Sequence, residues 1–557
     1  MMKLESAIKV TTDVLVIGGG GAGLRAAIEA KSHGGRVLMV SRSRAGYGSN
    51  TTISGGAFAA VSSPPVNGPE TGDSAEQHFR DTIEGGCFLN QQSMVATVVE
   101  NAARQVEDLR RFGVKYSGDR ECPWITLSAD PGHRRARMVY GEKAFGTDFT
   151  LPLRQHALSR GVEILEGILI TGLLKKDETV IGAEGVDTAG NVSIFVAPAV
   201  VLASGGLGRI YARNDNAAGA TGDGYAIAYD AGAVLQDMEF VQFYPAGLGS
   251  GTPALFYECL LLDSGGRLLN RRGEDIVAKY ALADPMRLTR DRLSLAIARE
   301  VAAGLGFGDK VCLDLTEIKG NRREILRPVL PKAAGHGENR FLVAPTTHFH
   351  MGGVRINENA ETSIPGLYAA GEICAGVHGA NRLAGNALTE VWVFGTIAGR
   401  EAARRAGNLE TPSLPGDTVR PEPFSRQGNE NPGALHASLQ AIMWQKAGLI
   451  RDAAGLKQAI KEIDTLRQRL CRITVSDGQS LLMALRLGNT LTTAEMVCRA
   501  ALLRTESRGS HYRRDYPARS DAGWLHNILI TRKNEGMVFG QQAVACSRFP
   551  PVAKTAR

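Results

Sequence analysis

Two of the chain's 11 histidines, His348 and His350, stand two residues apart immediately before the turn Met351-Gly352-Gly353. Imidazoles so placed can ligate a metal, donate to an anion, or give a loop polarity. No third ligand stands at a metal-site spacing, so the metal reading is the weakest and no metal is expected. Near the amino end a second chemistry is written in glycine. Gly18, Gly20 and Gly23 form GxGxxG between an apolar run, Val14 to Ile17, and a helical stretch, Leu24 to Lys31. The first glycine permits a tight turn, the second lets backbone N–H groups meet a pyrophosphate, and the third lets helix and strand pack closely. The helix N-terminus favours the same anion. This spacing predicts a dinucleotide site. The second strand, Val37 to Val40, runs into Ser41 and Arg42 where NAD sites carry an acid for the ribose, so a different adenosine clamp is expected.

Such residues need large folded lobes to bring them together. At 557 residues the chain exceeds one ordinary core, and roughly two to four domains are expected. Apolar content of 43% with 22% charged residues describes a folded globular chain. The 66 glycines favour a backbone that approaches a ligand closely. The net charge of +7 is scattered among 57 acids, with no long Lys/Arg tract or aromatic platform, so no nucleic acid is expected. No apolar run reaches about 18 residues, which argues against membrane insertion. The start MMKLESAIKV carries an acid and no long apolar core, so a cytoplasmic location is expected. The 8 cysteines include no CxxC, which fits reduced thiols and argues against an iron–sulfur cluster in this chain.

Longer motifs follow in order: SGGAFAAV from Ser54, VVLASGGLGRIY from Val200, ATGDGYAIAYDAGA from Ala220 and DMEFVQFYPAGL from Asp237. HFHMGGVRI, GLYAAGEICAGVHGANRLAGNAL from Gly366 and RTESRGSHYRRDYP from Arg504 complete the series. With the glycine cradle, they make nearly the whole chain similar to the flavoprotein subunit of the succinate dehydrogenase and fumarate reductase family, which includes L-aspartate oxidase. The resemblance implies FAD. Gly18, Gly20 and Gly23 would hold its pyrophosphate, with Ser41 and Arg42 near the adenosine and Gly55 and Gly56 beside the isoalloxazine. Asp223 and Glu372 match cofactor-bonding acids, Glu372 at the ribose, and Ala387 and Leu388 lie beside the ring. Respiratory members carry a flavin-linked histidine just before the Gly-Gly pair. Here that position is Ser49, which cannot form the link, so FAD is expected to be non-covalent.

The same resemblance assigns His348 and Arg382 to a substrate carboxylate. It assigns Arg290 to proton exchange with the substrate carbon opposite the flavin. His350 stands where relatives carry Asn or Thr; it is a candidate substrate contact, against the plainer reading of a polar residue at a domain junction. Tyr244 and Tyr257 replace the His and Thr that hold a second carboxylate in relatives. Leu261 replaces a relay arginine, while Glu258 remains and is expected to carry protons with water. One carboxylate should therefore be clamped, with the other end of the substrate different.

The resemblance and the strand–helix pattern together predict an α/β chain: a Rossmann-like FAD-binding domain with an inserted α+β capping domain and a C-terminal helical domain. The expected divisions are 1–236 and 346–420 for the cofactor domain and 237–345 for the cap. A Pro/Gly-rich linker at 421–433, helices at 434–510 and a loose tail at 511–557 complete the chain. The expected activity is hydride transfer between flavin N5 and a carbon adjacent to a carboxylate, of the fumarate reductase or succinate dehydrogenase type. Aspartate-oxidase-like oxidation and an electron-transferring component with a degenerate pocket stay open as alternatives. Expected partners are a small carboxylic acid and an iron–sulfur electron-transfer subunit, through which the chain would sit peripherally at a membrane.

Overall fold

Val14–Ile17 is apolar at every position and lies wholly buried, as a strand covered on both faces must. In the computed structural model, which describes residues 8–61, 72–117, 130–248, 261, 265–318, 339–413, 428–534 and 536–551, it is the central strand of a five-stranded sheet. The order across that sheet is Leu367–Ala369, Ala199–Leu202, Val14–Ile17, Val37–Ser41 and Glu163–Glu166, all parallel. Chain order reverses between Val14–Ile17 and Ala199–Leu202, and a crevice opens beyond the carboxyl ends of strands at such a switch point. Gly18 has φ +116°, and a Cβ there would fall 2.2 Å from the Ala203 carbonyl oxygen; one on Gly23 would fall 1.9 Å from that of Gly18. Only glycine lets helix Gly21–Ser32 leave the strand so tightly.

A second unit lies between the segments of that sheet. Val241–Gly247 pairs antiparallel with Arg340–His350, which pairs with Val311–Asp314 and so with Arg267–Leu269. Helix Arg290–Ala302 packs against this sheet, with Ser294 Oγ donating to the Phe243 carbonyl at 3.0 Å. Tyr244, Leu261, Leu293, Ile297 and Val343 belong to its own apolar core. The strand Arg340–His350 crosses the expected boundary at 345, so cap and cofactor lobe share one continuous strand.

Three capped helices follow: Pro432–Lys446, Ala453–Arg469 and Gly478–Leu503, started by Asn431, Asp452 and Asp477 side chains accepting first-turn N–H groups. Thr493 Oγ1 donates to the Gly222 carbonyl at 2.7 Å, seating the longest helix against the cofactor lobe. The RTESRG motif anchors this region. Arg504 Nε donates to Glu239 at 2.7 Å, Arg508 to Glu506 at 2.7 Å, and all four side chains are buried. The tail expected from 511 differs from its sequence reading. His526–Lys533 and Gly536–Ala543 form a hairpin whose first strand pairs with Leu235–Gln236. Ile528 and Ile530 are fully buried, and that apolar alternation is what holds the hairpin down. Among the described residues no helix is long and apolar enough to cross a membrane.

Candidate active site

A continuous cavity of about 370 Å³ opens at the switch point. Gly18, Gly20, Ser41, Arg42, Ser49, Gly55, Asp223, Glu372, Ala387 and Leu388 all line it. Gly23 and Gly56 stand behind its wall, Gly23 against Gly18 and Gly56 against the Phe145 backbone. The N-terminus of helix Gly21–Ser32 faces the cavity through Gly21. Arg42 Nη2 donates to the Ala218 carbonyl at 3.1 Å, placing a cation at the rim. Ser49 caps the short helix Asn50–Ile53, its Oγ accepting from Thr52 N at 3.2 Å. The buried Ser204 Oγ, also in the wall, has no hydrogen-bond partner among the described residues. An unpaired buried hydroxyl beside a glycine floor and a helix N-terminus suits a dinucleotide with phosphates and ribose hydroxyls.

The same cavity ends among Tyr244, Arg290, His348 and Arg382. Four separate elements bring them there. Arg290 is the first residue of helix Arg290–Ala302, where the helix dipole disfavours a cation, so helix stability does not explain an arginine at this position. Arg382 lies in the loop ahead of helix Asn386–Gly407, only 5% exposed. Its Nε donates to Gln242 Oε1 at 3.2 Å and its guanidinium lies 4.9 Å from the centre of the Phe349 ring. Tyr244 joins the other two: its ring centre is 4.7 Å from the Arg290 guanidinium carbon and 5.1 Å from the His348 ring centre.

His348 and His350 share the strand Arg340–His350, and regular alternation would put both on one face. A bulge separates them. Phe349 pairs with Gln242 and Thr347 with Phe243, leaving His348 as the extra residue. His348 therefore reaches the cavity. His350 does not: it is 1% exposed, its Nε2 donates to the Met238 carbonyl at 3.1 Å, and its ring stands edge-on to Tyr225. Burial pushes its pKa down to about 4, so it is neutral near pH 7. The expected substrate contact at His350 is replaced by a packing role.

Residues that the motif reading passed over complete this end. His348 Nδ1 lies 2.7 Å from Asp215 Oδ2, and Asp215 also lines the cavity. Asn216 Nδ2 donates to the Thr347 and His348 carbonyls, and Asn50 Nδ2 donates to Asn216 at 2.7 Å and Glu372 at 2.9 Å. Asn214-Asp215-Asn216 lies between two of the recognised motifs, and that flanking was the only signal available in sequence. Burial pushes Glu372 up to about 7, with the Asn50 amide and His350 N–H drawing it back. Burial likewise lowers the His348 pKa below the ordinary imidazole value; Asp215 opposes this, while Arg290 and Arg382 add to it. Tyr257 and Glu258 lie outside the described residues. Leu261 is buried in the apolar core with Tyr244 and brings no charge. Among the described residues no group of three or more His, Cys, Asp or Glu gathers as metal ligands.

Two guanidinium groups and one imidazole thus close one end of a cavity whose other end suits a dinucleotide. Such an end can grip an anion and hold a proton next to it. The profile of the FAD binding domain matches residues 13–388, and that of the fumarate reductase flavoprotein C-terminus matches 436–556. An uncharacterised FAD-dependent oxidoreductase of Methanocaldococcus jannaschii is 35% identical over 94% of this chain and 96% of its own length. A CoM/CoB fumarate reductase subunit from Methanothermobacter marburgensis is 36% identical over 95% of this chain and 98% of its own. A solved E. coli quinol fumarate reductase chain superposes with a TM-score of 0.86 at 28% identity, covering 98% of each chain.

Proposed function

The chain belongs to the fumarate reductase and succinate dehydrogenase flavoprotein family and is an FAD-dependent oxidoreductase, and from that premise we propose that it adds or removes hydrogen across a carbon–carbon bond next to a carboxylate. One observation carries this reading: a single cavity runs from the glycine cradle to Arg290, His348 and Arg382. Bound FAD supplies the hydride donor or acceptor. Arg382 and His348 hold the carboxylate in charge-assisted hydrogen bonds and so polarise the adjacent double bond. Arg290 gives or takes the proton at the neighbouring carbon, a task its high ordinary pKa permits only in a desolvated site. Two electrons and one proton arrive as hydride, and a second proton completes the saturated acid; the reverse removes both.

Ser49 in place of a flavin-linking histidine supports non-covalent FAD. Tyr244, in contact with both Arg290 and His348, adds no cation where relatives hold a second carboxylate. This favours a substrate with one carboxylate and a different far end. The methanogen relative is named as one subunit of its enzyme, which supports an electron-transfer partner, an iron–sulfur subunit by the family resemblance.

The test is anaerobic. The FAD-loaded chain is reduced with dithionite, excess reductant is removed, and unsaturated acids are screened for flavin reoxidation at 450 nm. Rapid reoxidation by an α,β-unsaturated acid is expected. Reoxidation by none of them, together with peroxide formation from L-aspartate in air, would move the assignment to amino-acid oxidation.

A further inference from the structure

A carboxylate-binding histidine must present an N–H to its ligand, and the Asp215 contact governs whether His348 has one. Asp215 Oδ2 lies 2.7 Å from Nδ1. A carboxylate only accepts, so Nδ1 carries the hydrogen and donates it. In neutral His348 the remaining nitrogen, Nε2, then bears a lone pair. The side chain is 23% exposed, on the wall of the cavity, while Asp215 is 5% exposed beneath it. A lone pair at Nε2 repels a carboxylate instead of binding it.

We propose that Asp215 makes substrate binding proton-linked, with His348 taking up one proton as the carboxylate enters. The uptake converts Nε2 from acceptor to donor, and the resulting imidazolium sits between Asp215 on one side and the substrate on the other. Binding brings one anion and one proton into the site together. This rests on the reading of His348 and Arg382 as a carboxylate clamp.

The surrounding charges fit the assignment. Burial above all disfavours a charged His348 in the empty site, and Arg290 from the cap helix and Arg382 from the loop before Asn386–Gly407 add to this. Tyr244, on the neighbouring strand, presents its ring to His348. Glu372, also in the cavity wall, feels the Asp215 charge as well. The incoming carboxylate offsets the two arginines, which is what allows the proton to follow. Asp215 acts through His348 and is a positioning residue; the imidazole makes the contact. Asp215 also reaches the cavity wall from a loop, so its place beside Nδ1 depends on Asn214 and Asn216, which tie that loop to the Tyr211 and Thr347 carbonyls.

An asparagine at 215 removes the constraint. Its amide N–H can donate to Nδ1, which places the hydrogen on Nε2 of a neutral ring ready to meet a carboxylate. Asp215→Asn therefore abolishes the proton linkage specifically, whereas a merely structural role for Asp215 would weaken binding at every pH alike.

The oxidised FAD holoenzyme is titrated with fumarate and with crotonate, following flavin absorbance changes from pH 6 to 9. Calorimetry at pH 8 in two buffers of different ionisation enthalpy counts the protons. The expected result is uptake approaching one proton per ligand, with Kd rising about tenfold per pH unit on the alkaline side. Asp215→Asn is expected to bind with a pH-flat Kd and no net uptake, and Asp215→Glu to restore the linkage. Binding of either acid to the wild-type protein with a flat Kd and no proton uptake overturns the linkage and leaves the carboxylate clamp standing. Full linkage retained in Asp215→Asn overturns the role of Asp215. If neither acid perturbs the flavin at any pH, or if Arg382→Gln binds as the wild type does, the clamp itself fails and the linkage with it.

Discussion

Gln242 holds Arg382 at two points: its Oε1 accepts from Arg382 Nε at 3.2 Å, and its Nε2 donates to the Arg382 carbonyl at 2.8 Å. Gln242 is fully buried, on the strand that pairs with the one bearing His348, so the two groups proposed to grip the carboxylate are set by one strand pair. Gln242→Ala is expected to raise KM for the reacting acid about 10- to 100-fold, with a smaller loss in kcat, because misplacement of a clamp by an ångström costs about that much. Steady-state kinetics decides it; an unchanged KM would show that Arg382 needs no such support.

The bulge at His348 predicts opposite phenotypes for two histidines on one strand. His348→Ala should cost about 2–5 kcal/mol of transition-state stabilisation, roughly 30- to 5000-fold in kcat/KM. His350→Ala should instead lower unfolding stability by about 2–4 kcal/mol through a cavity and a lost hydrogen bond. Its folded fraction should keep KM within about twofold. Urea unfolding and kinetics on both variants separate the two roles, and a KM defect in a fully stable His350 variant would contradict the placement.

Tyr244 positions Arg290 through its ring face. Tyr244→Leu removes the cation–π contact, about 0.5–2 kcal/mol, and should lower kcat about 2- to 30-fold. Tyr244→Phe keeps the ring and should lose less. Equal losses in the two variants would assign the effect to the hydroxyl.

Glu372 gives the apoprotein a pH signature. Its folded pKa of about 7 lies above its ordinary value of 4.5, so the folded state keeps a proton that the unfolded chain releases. The stability from this group is full below pH 4.5 and is lost as pH rises through 7, a change of about 3 kcal/mol. Asp237 is raised to about 7 by burial in the same way, so Glu372→Gln should flatten only part of the decline. Unfolding midpoints of the apoprotein at pH 5 and 7.5 measure this; identical declines in variant and wild type would remove Glu372 as a source.

Ser49 predicts the state of the flavin. Acid precipitation of the holoenzyme should leave a colourless pellet and free FAD in the supernatant. A pellet that stays yellow and fluoresces under ultraviolet light would reveal a covalent link at another residue.

Much of the cofactor lobe was legible in the sequence because its demands are local. Gly18 must turn with a positive φ, Val14–Ile17 must be apolar on both faces, and Leu367–Ala369 must end in a glycine turn at Glu372; each requirement falls within a few consecutive residues. The family resemblance that the long motifs carry likewise pointed to His348, Arg290 and Arg382, which the fold gathers at one end of the cavity. Asp215, Asn50 and Gln242 were not legible. Each acts on a residue 133, 166 or 140 positions away, and nothing in a single sequence ties such pairs together.

The sequence by itself determined that this chain has a dinucleotide cradle, a set of cationic side chains and the apolar runs needed to build lobes around them. The tertiary structure alone decided which way those side chains face. An alternating strand sends His348 and His350 the same way, and only pairing with Val241–Gly247 inserts the bulge that parts them. Strand pairing is a contest between whole registers, settled by the burial of many side chains at once. Its outcome is therefore absent from any short stretch of the chain.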